Sequence, residues 1–304
     1  MKLAINGFGR IGRALFVLAK QRGFKIVYVN DLMSYEQANY LLKYDSIYGN
    51  SEIDLNGIIY TKISDNTKLN FKKADIILEA TGVFTLYSQN KHYNKKVIIS
   101  SPSKDIKKPT IYSIHNNFKS NIISASSCTT NAIAPVLSLL QTQINIKKVS
   151  ITIAHAYTSG QSLLDGQKKN DLRVARSASV NIIPLLSSVS SELSKLYPHI
   201  SFGAVNVRVP SQSGMFLFVL LEVDKIKDKE SLQQFITQQN SSIVKYETEH
   251  MFSSLAKDFT QSAVIHEFKI LDETLISLSI MQDNERGYAS RVIDLATSFT
   301  KHIQ

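Results

Sequence analysis

Cysteine is nearly absent from this 304-residue chain, where Cys128 stands alone. A single thiol excludes an internal disulfide and any zinc site built from several thiolates. It leaves an inert buried thiol or a reactive one in a reducing compartment, and the count by itself favours the inert alternative. Long apolar runs are missing too. Nothing approaches the roughly 18 apolar residues of a membrane span, so no membrane partner is expected. The apolar run before Asn6-Gly7 is far too short for the core of a secretory signal, and a cytoplasmic location is the expectation. The chain shows no repeat, low-complexity tract or linker, and no metal site is expected.

What is present is enough apolar sequence, 43% against 20% charged residues, to bury two ordinary cores, and two domains are expected at this length. The net charge of +10 suits a polyanion such as nucleic acid. It suits equally well phosphorylated substrates and a dinucleotide drawn into a positive cleft. The lysine pairs at 72–73, 95–96, 107–108, 147–148 and 168–169 are interleaved with apolar residues and read as solvated faces, so no specific nucleic-acid partner is expected.

The run ending at Asn6 leads into Gly7-Phe8-Gly9-Arg10-Ile11-Gly12, and Leu15, Val17, Leu18 and Ala19 then follow at helical spacing up to Gly23. A second apolar run, 26–29, ends in Asn30-Asp31. Strand, glycine turn, helix and strand make a β-α-β unit. Buried runs recur at 75–80, 97–99, 111–114 and 121–124, which predicts a doubly wound parallel sheet. After Cys128 the texture changes to a helix over 132–140 and long alternating strands at 148–154, 204–209, 216–223 and 275–281. Residues 287–302 carry Val292, Ile293, Leu295, Ala296 and Phe299 on one face of a closing helix. The fold class expected is α/β: an N-terminal Rossmann-type doubly wound parallel sheet, then an α+β domain with a mixed or antiparallel sheet.

The glycine turn fits G-x-G-x-x-G. Gly7 makes the tight turn, Gly9 lets backbone approach a pyrophosphate, and Gly12 lets the helix pack on the strand. Alone the pattern is weak, but it lies between a strand and a helix. Asp31 also ends the next strand about 20 residues on, where a carboxylate takes ribose hydroxyls. A carboxylate there repels a 2′-phosphate, and Leu32 rather than an arginine follows, so NAD is favoured over NADP. The alternative is a glycine turn with an unrelated capping aspartate.

Cys128 stands in Ser124-Ala125-Ser126-Ser127-Cys128-Thr129-Thr130-Asn131, after a strand and at the opening of a helix, where a helix N-terminus favours the thiolate. His155 ends a later apolar strand. A Cys-His pair brought together by folding gives an activated nucleophile with an acid-base partner. On spacing alone a strand-end histidine is more often structural.

At these residues the sequence resembles the glyceraldehyde-3-phosphate dehydrogenase family. The matching stretches run along nearly the whole chain: INGFGRIGR (5–13), LLKYDS (41–46), ATGVFT (80–85), KVIIS (96–100), SCTTN (127–131), HAYT (155–158), NIIP (181–184), RVP (208–210) and DNE (283–285). The resemblance implies oxidation of glyceraldehyde 3-phosphate with NAD and inorganic phosphate, in glycolysis or gluconeogenesis. Cys128 would be the nucleophile and His155 the acid-base residue. Thr158 and Arg208 would hold the substrate phosphate, and Ser127, Thr129 and Ser187 would surround the attacking phosphate. On the cofactor side, Arg10 and Ile11 would present backbone donors after the glycines. Thr81, Gly82 and Ser100 would line the ribose path, Asn284 would hold the carboxamide and Tyr288 would cover the nicotinamide ring. The resemblance also implies a nucleotide domain over 1–127 and 287–304, a catalytic domain over 128–286, and a homotetramer.

Some positions depart from the family pattern. The segment before Cys128 is short, Gly160 and Ser188 replace the usual residues near the two phosphates, Ala132 replaces a second cysteine, and Arg286 replaces a tryptophan. The stretch 210–214 is also unlike the family. Two alternatives stay open: an erythrose-4-phosphate dehydrogenase, in which water attacks the thioester, and a catalytically idle NAD- or RNA-binding descendant. The HAYT stretch favours the glyceraldehyde enzyme over the first.

Overall fold

The computed structural model describes residues 1–115, 118–167 and 171–301. The chain divides into two compact units, Met1–Asn131 with Tyr288–Gln304, and Ala132–Gly287. Among the described residues no helix is long and apolar enough to cross a membrane.

The first unit opens with β1 (Lys2–Asn6), α1 (Arg10–Gln21) and β2 (Lys25–Asn30). It continues through α2 (Tyr35–Lys43), the short β3 (Tyr44–Asp45) and β4 (Gly49–Asn50), β5 (Ile59–Thr61), β6 (Ile76–Glu79), α3 (Tyr87–Asn90), β7 (Lys96–Ile99) and β8 (Ile122–Ser124). Six strands form one sheet in the order β5-β2-β1-β6-β7-β8, every neighbouring pair parallel. The chain winds outward from β1 to one side and then, from β6, to the other. The reversal between β1 and β6 is where sheets of this kind hold ligands, at the carboxyl ends of the strands. Leu3, Ile5, Ile76, Leu78 and Ile98 pack on one face with Leu15 and Phe16. Ala4, Ile77, Val97 and Ile99 pack on the other with Leu69 and Phe71. Because both faces are buried, the strands read as unbroken apolar runs rather than alternating ones.

One expected strand is absent. Residues 111–114 form a turn, in which the Ile114 and His115 N–H groups both donate to Ile111 O, at 3.2 and 3.1 Å. Ser113 takes a left-handed φ of 74°, which ends any extended backbone. A four-residue apolar run cannot by itself distinguish a buried strand from a buried turn.

α4 (Cys128–Leu140) begins in the last residues of this unit and continues into the second. There follow β9 (Ile146–Ala156), β10 (Ile183–Leu185), α5 (Val189–Leu196), β11 (Ser201–Val209), β12 (Met215–Val223), α6 (Lys229–Thr237), β13 (Val244–Tyr246), β14 (Ala263–Ile270) and β15 (Leu275–Gln282), then α7 (Arg286–Lys301). The second sheet has the order β10-β11-β9-β12-β15-β14-β13. It is mixed: β11 pairs parallel with β9, and β9, β12, β15 and β14 pair antiparallel in turn. Val149, Ile151 and Ile153 on β9 stand opposite Leu221, Val219 and Leu217 on β12, which in turn oppose Ile276, Leu278 and Ile280 on β15. All nine are buried, and each contributes about 1.5–3 kcal/mol of transfer free energy. β14 is illegible in the sequence because a register shift between Ile265 and Glu267 breaks its alternation. The closing helix begins at Arg286, and the expected last residue, His302, lies outside the described residues.

Candidate active site

The glycine turn is built as its three positions require. Gly7 has φ 92°, and a Cβ there would lie 2.5 Å from Thr81 N; a Cβ on Gly12 would lie 2.0 Å from Gly7 O. These two positions are closed to any side chain. Gly9 differs, since a Cβ there would meet nothing within 4 Å, so its bareness leaves open space in front of the α1 N-terminus. Asp31 directly follows β2 and faces the turn: its Oδ2 accepts from Phe8 N–H at 2.6 Å and its Oδ1 from Met33 N–H at 3.0 Å.

A cleft of about 430 Å³ opens here, lined among others by Gly7, Gly9, Asp31, Leu32, Thr81, Val83 and Phe84. It fits a nucleoside-sized group. A helix N-terminus with no acidic residue in its first turn suits a pyrophosphate, the carboxylate at the rim suits ribose hydroxyls, and Leu32 and Val83, 63% and 66% exposed, give apolar walls for a base. The residues present therefore fit a dinucleotide.

Arg10 turns its side chain away from this task. Its guanidinium pairs with Asp45 at 2.6 Å and lies over the Tyr48 ring, which leaves its backbone as the part available to a phosphate. Burial works against the Asp45 anion, but the Tyr48 and Ile47 N–H groups and Arg10 together hold its pKa below the usual carboxylate value. Gly82 has φ 70° in the turn after β6. The Ser100 hydroxyl donates to Glu79 O at 2.8 Å.

Cys128 is the first residue of α4 and half-buried. Ser127 caps the helix, its Oγ accepting from Thr130 N–H at 3.1 Å and its carbonyl from Asn131 N–H at 3.0 Å. The Asn131 side chain is wholly buried and ties the approach down through Ala125 O and Ser127 O, at 2.7 and 2.9 Å. Ser126 adopts a left-handed φ of 59°, a conformation costing a non-glycine residue about 1–2 kcal/mol. Strain held next to a thiol at a helix N-terminus marks a site whose geometry is imposed by its surroundings. Thr129, expected near the attacking phosphate, is buried in the first turn of this helix. Tyr288, expected over a nicotinamide ring, lies in the core at 2% exposure, where its hydroxyl donates to Ser126 O at 2.9 Å. It braces the strained residue from behind. Burial, and secondarily the nearby Cys128, push its phenol pKa well up.

In the second unit His155 sits one residue from the end of β9, directly opposite Arg208 on β11. An Arg208 Nη1 N–H meets His155 Nδ1, and the same nitrogen donates to Ala156 O at 2.9 Å. A guanidinium only donates, whereas Ala156 O, 2.7 Å from the same His155 Nδ1, only accepts, so Nδ1 stands between one donor and one acceptor. Burial first, and the Arg208 charge second, push the His155 pKa down to about 3, so the imidazole is neutral near pH 7. Arg208, expected as a phosphate clamp, thus also governs the charge of His155. The Arg208→Gln variant is expected to raise the His155 pKa from about 3 toward its ordinary value, read by imidazole NMR titration. An unchanged titration would assign the whole shift to burial.

The other expected residues are nearby along the chain or on the same unit. Thr158 is exposed in the turn after β9, its N–H donating to Gln161 Oε1 at 3.2 Å. Ser187 lies just before α5 and accepts from Val189 N–H at 3.3 Å. Asn284 is buried, with Oδ1 accepting from Gly214 N–H at 2.9 Å, which fixes the orientation of its amide. Arg286 has an explanation as well: it forms an ion pair with Asp258, whose backbone is left-handed at φ 71°. Glu79 and Asn6, both buried beside the cleft, are absent from the site residues that the sequence motifs single out. An acid closing an otherwise apolar strand was the available signal.

Residues 127–284 match the family described as glyceraldehyde 3-phosphate dehydrogenase, C-terminal domain, and residues 1–87 match glyceraldehyde 3-phosphate dehydrogenase, NAD binding domain. The glyceraldehyde-3-phosphate dehydrogenase of Borreliella burgdorferi is 32% identical over 99% of this chain and 100% of its own length. Those of Priestia megaterium and Geobacillus stearothermophilus are each 32% identical over 97% of both chains. With its glycine turn, its lone thiol on a strained helix start and these matches spanning both units, the chain belongs to the glyceraldehyde-3-phosphate dehydrogenase family.

Proposed function

We propose that the protein oxidises glyceraldehyde 3-phosphate to 1,3-bisphosphoglycerate with NAD and inorganic phosphate, through a thioester on Cys128. The observation that carries this reading is the placement of the only cysteine as the first residue of α4, behind left-handed Ser126 and capping Ser127. The thiolate adds to the aldehyde carbon and forms a hemithioacetal. His155, neutral beforehand, takes the proton of the Cys128 thiol as the thiolate forms, gives it to the new alkoxide, and takes it back from the hydroxyl as the carbon is oxidised. NAD, when bound, supplies the hydride acceptor. A phosphate oxygen then attacks the thioester carbon, the C–S bond breaks, and the Cys128 thiolate leaves. Thr158 and Arg208 are read as holding the substrate phosphate, and Ser127, Thr129 and Ser187 as lying around the attacking one. Asn284 is read as holding the carboxamide of NAD.

A homotetramer in the cytoplasm completes the reading. The tetramer's support is exposed apolar side chains between residues 164 and 186 of the second unit: Leu164, Leu172, Val180, Ile182 and Leu186 are 68–93% exposed. The test is NADH formation from glyceraldehyde 3-phosphate, with and without inorganic phosphate, on protein first sized by light scattering. The expected result is phosphate-dependent turnover by a particle of about four chains. Equal turnover of erythrose 4-phosphate without phosphate would transfer the assignment to the water-using enzyme, and a monomer would remove the tetramer.

A further inference from the structure

A single hydrogen-bonded chain of side chains runs beneath the cofactor cleft. At one end the Thr81 backbone N–H donates to Glu79 Oε1 at 2.8 Å. Glu79 Oε2 accepts from Asn6 Nδ2 at 2.6 Å, and Asn6 Oδ1 accepts from Asn30 Nδ2 at 2.8 Å. At the other end Asn30 Oδ1 accepts from the Ile63 backbone N–H at 2.9 Å and from the Thr61 hydroxyl at 2.8 Å. Asn30 cannot be turned over, because its Nδ2 also donates to Ile63 O at 3.0 Å.

The direction of this chain is therefore set by backbone donors at both ends, which no side-chain rotation reverses. An amide accepts on one side and donates on the other, so a row of amides passes the direction along unchanged. A row with donors at both ends needs one member that accepts from both sides, and among side chains at such a place an ionised carboxylate does this. Glu79 is that member. Burial pushes its pKa up to about 7 against the bonds from Thr81 and Asn6 that lower it, so the fold holds an anion where solvation is poor. The two ends of the chain also belong to the cleft. The Thr81 hydroxyl donates to Glu79 and accepts from the Val83 and Phe84 N–H groups, at 3.1 and 3.3 Å. Thr81, Val83 and Phe84 line the cleft after β6; Asn30, the last residue of β2, and Ile63, after β5, line it on the other side. In the sheet these strands stand on opposite sides of β1.

We propose that Glu79 is the positioning residue of the dinucleotide cleft, the double acceptor that fixes the turn after β6 relative to the β2 and β5 side and thereby sets NAD affinity. This rests on the reading of the cleft as an NAD site. The test is calorimetric titration of NAD into wild type, Glu79→Gln, Asn6→Asp and the double variant at pH 8. Glu79→Gln sets a donor against the Asn6 donor, and Asn6→Asp sets a carboxylate against Glu79. Each single change is expected to raise the NAD Kd by at least about tenfold, the cost of one unmade buried bond. In the double variant the carboxylate has moved one link along, the new amide donates to it, and Asn30 donates to its other oxygen. One double acceptor is restored, and Kd is expected to return to within about threefold of wild type, about 0.7 kcal/mol.

Single variants that bind NAD as wild type does, or a double variant as weak as the product of its singles, overturn the proposal. If a single variant does not fold, the double must still fold and bind, and its failure to do so overturns it equally. Should wild type itself not bind NAD, the cofactor reading fails. The melting temperatures of the NAD-free proteins then decide the chain by themselves, with both singles lowered and the double restored if it is as described.

Discussion

The Cys128→Ala variant is expected to lose at least about 10⁴-fold in turnover of glyceraldehyde 3-phosphate, with NAD still binding within about threefold of wild type. No second thiol exists in the chain to take over, and the residue that usually provides one nearby is Ala132. The scaffold around position 128 does not depend on the sulfur: Ser127 caps α4, Asn131 ties the approach to Ala125, and Tyr288 braces Ser126. Alanine suits the start of a helix, so the variant keeps the fold while losing the atom that forms the thioester. Stopped-flow NADH absorbance reads the first loss and calorimetry the second. Activity retained within about a hundredfold would sink the thioester mechanism, and loss of NAD binding would show that Cys128 serves the architecture of the first unit.

A second large effect is expected at His155. The His155→Asn variant is expected to lower kcat by about 10²–10⁴-fold, the usual contribution of a positioned acid-base group. The pH dependence has a definite sign. With the folded-state pKa at about 3 against an ordinary 6.5, the imidazole in the free enzyme stays unprotonated throughout the neutral and mildly acidic range. Loss of kcat/KM centred on pH 6.5 is therefore not expected from this residue. For stability, the unfolded chain binds a proton here that the folded chain refuses. The group's contribution is fully present above pH 6.5 and is lost as pH falls from there toward 3. Acid unfolding of wild type is expected to begin at higher pH than that of His155→Asn. Identical acid transitions would show that the histidine is freely solvated.

Most of the parallel sheet and the whole glycine turn were legible, because their signals are local. Leu3 to Asn6 must be buried on both faces, Gly7 must turn, and Gly12 must let the helix meet the strand; each requirement concerns neighbours a few residues apart. Cys128 was legible for the same reason, since the start of α4 is announced by Ser127, Thr129 and the apolar residues after Ala132. The strand expected at 111–114 went the other way. Four apolar residues say that a segment is buried, and a left-handed Ser113 decides that it turns. β14 stayed hidden because its register shift changes which residues face inward.

The sequence by itself determined the family resemblance, the glycine turn with Asp31 near it, and the identity of the one possible thiol nucleophile. Tertiary structure alone decided that Arg208 stands beside His155, since only the parallel register of β11 on β9 brings them together. It also decided that Tyr288 supports Ser126 from within the core, and that Glu79 closes a hydrogen-bonded chain between the two sides of β1. The physical reason is common to all three. Burial and turn preferences are written into short stretches of residues, whereas the direction of a hydrogen bond and the charge of a buried imidazole depend on which strand folding lays beside which.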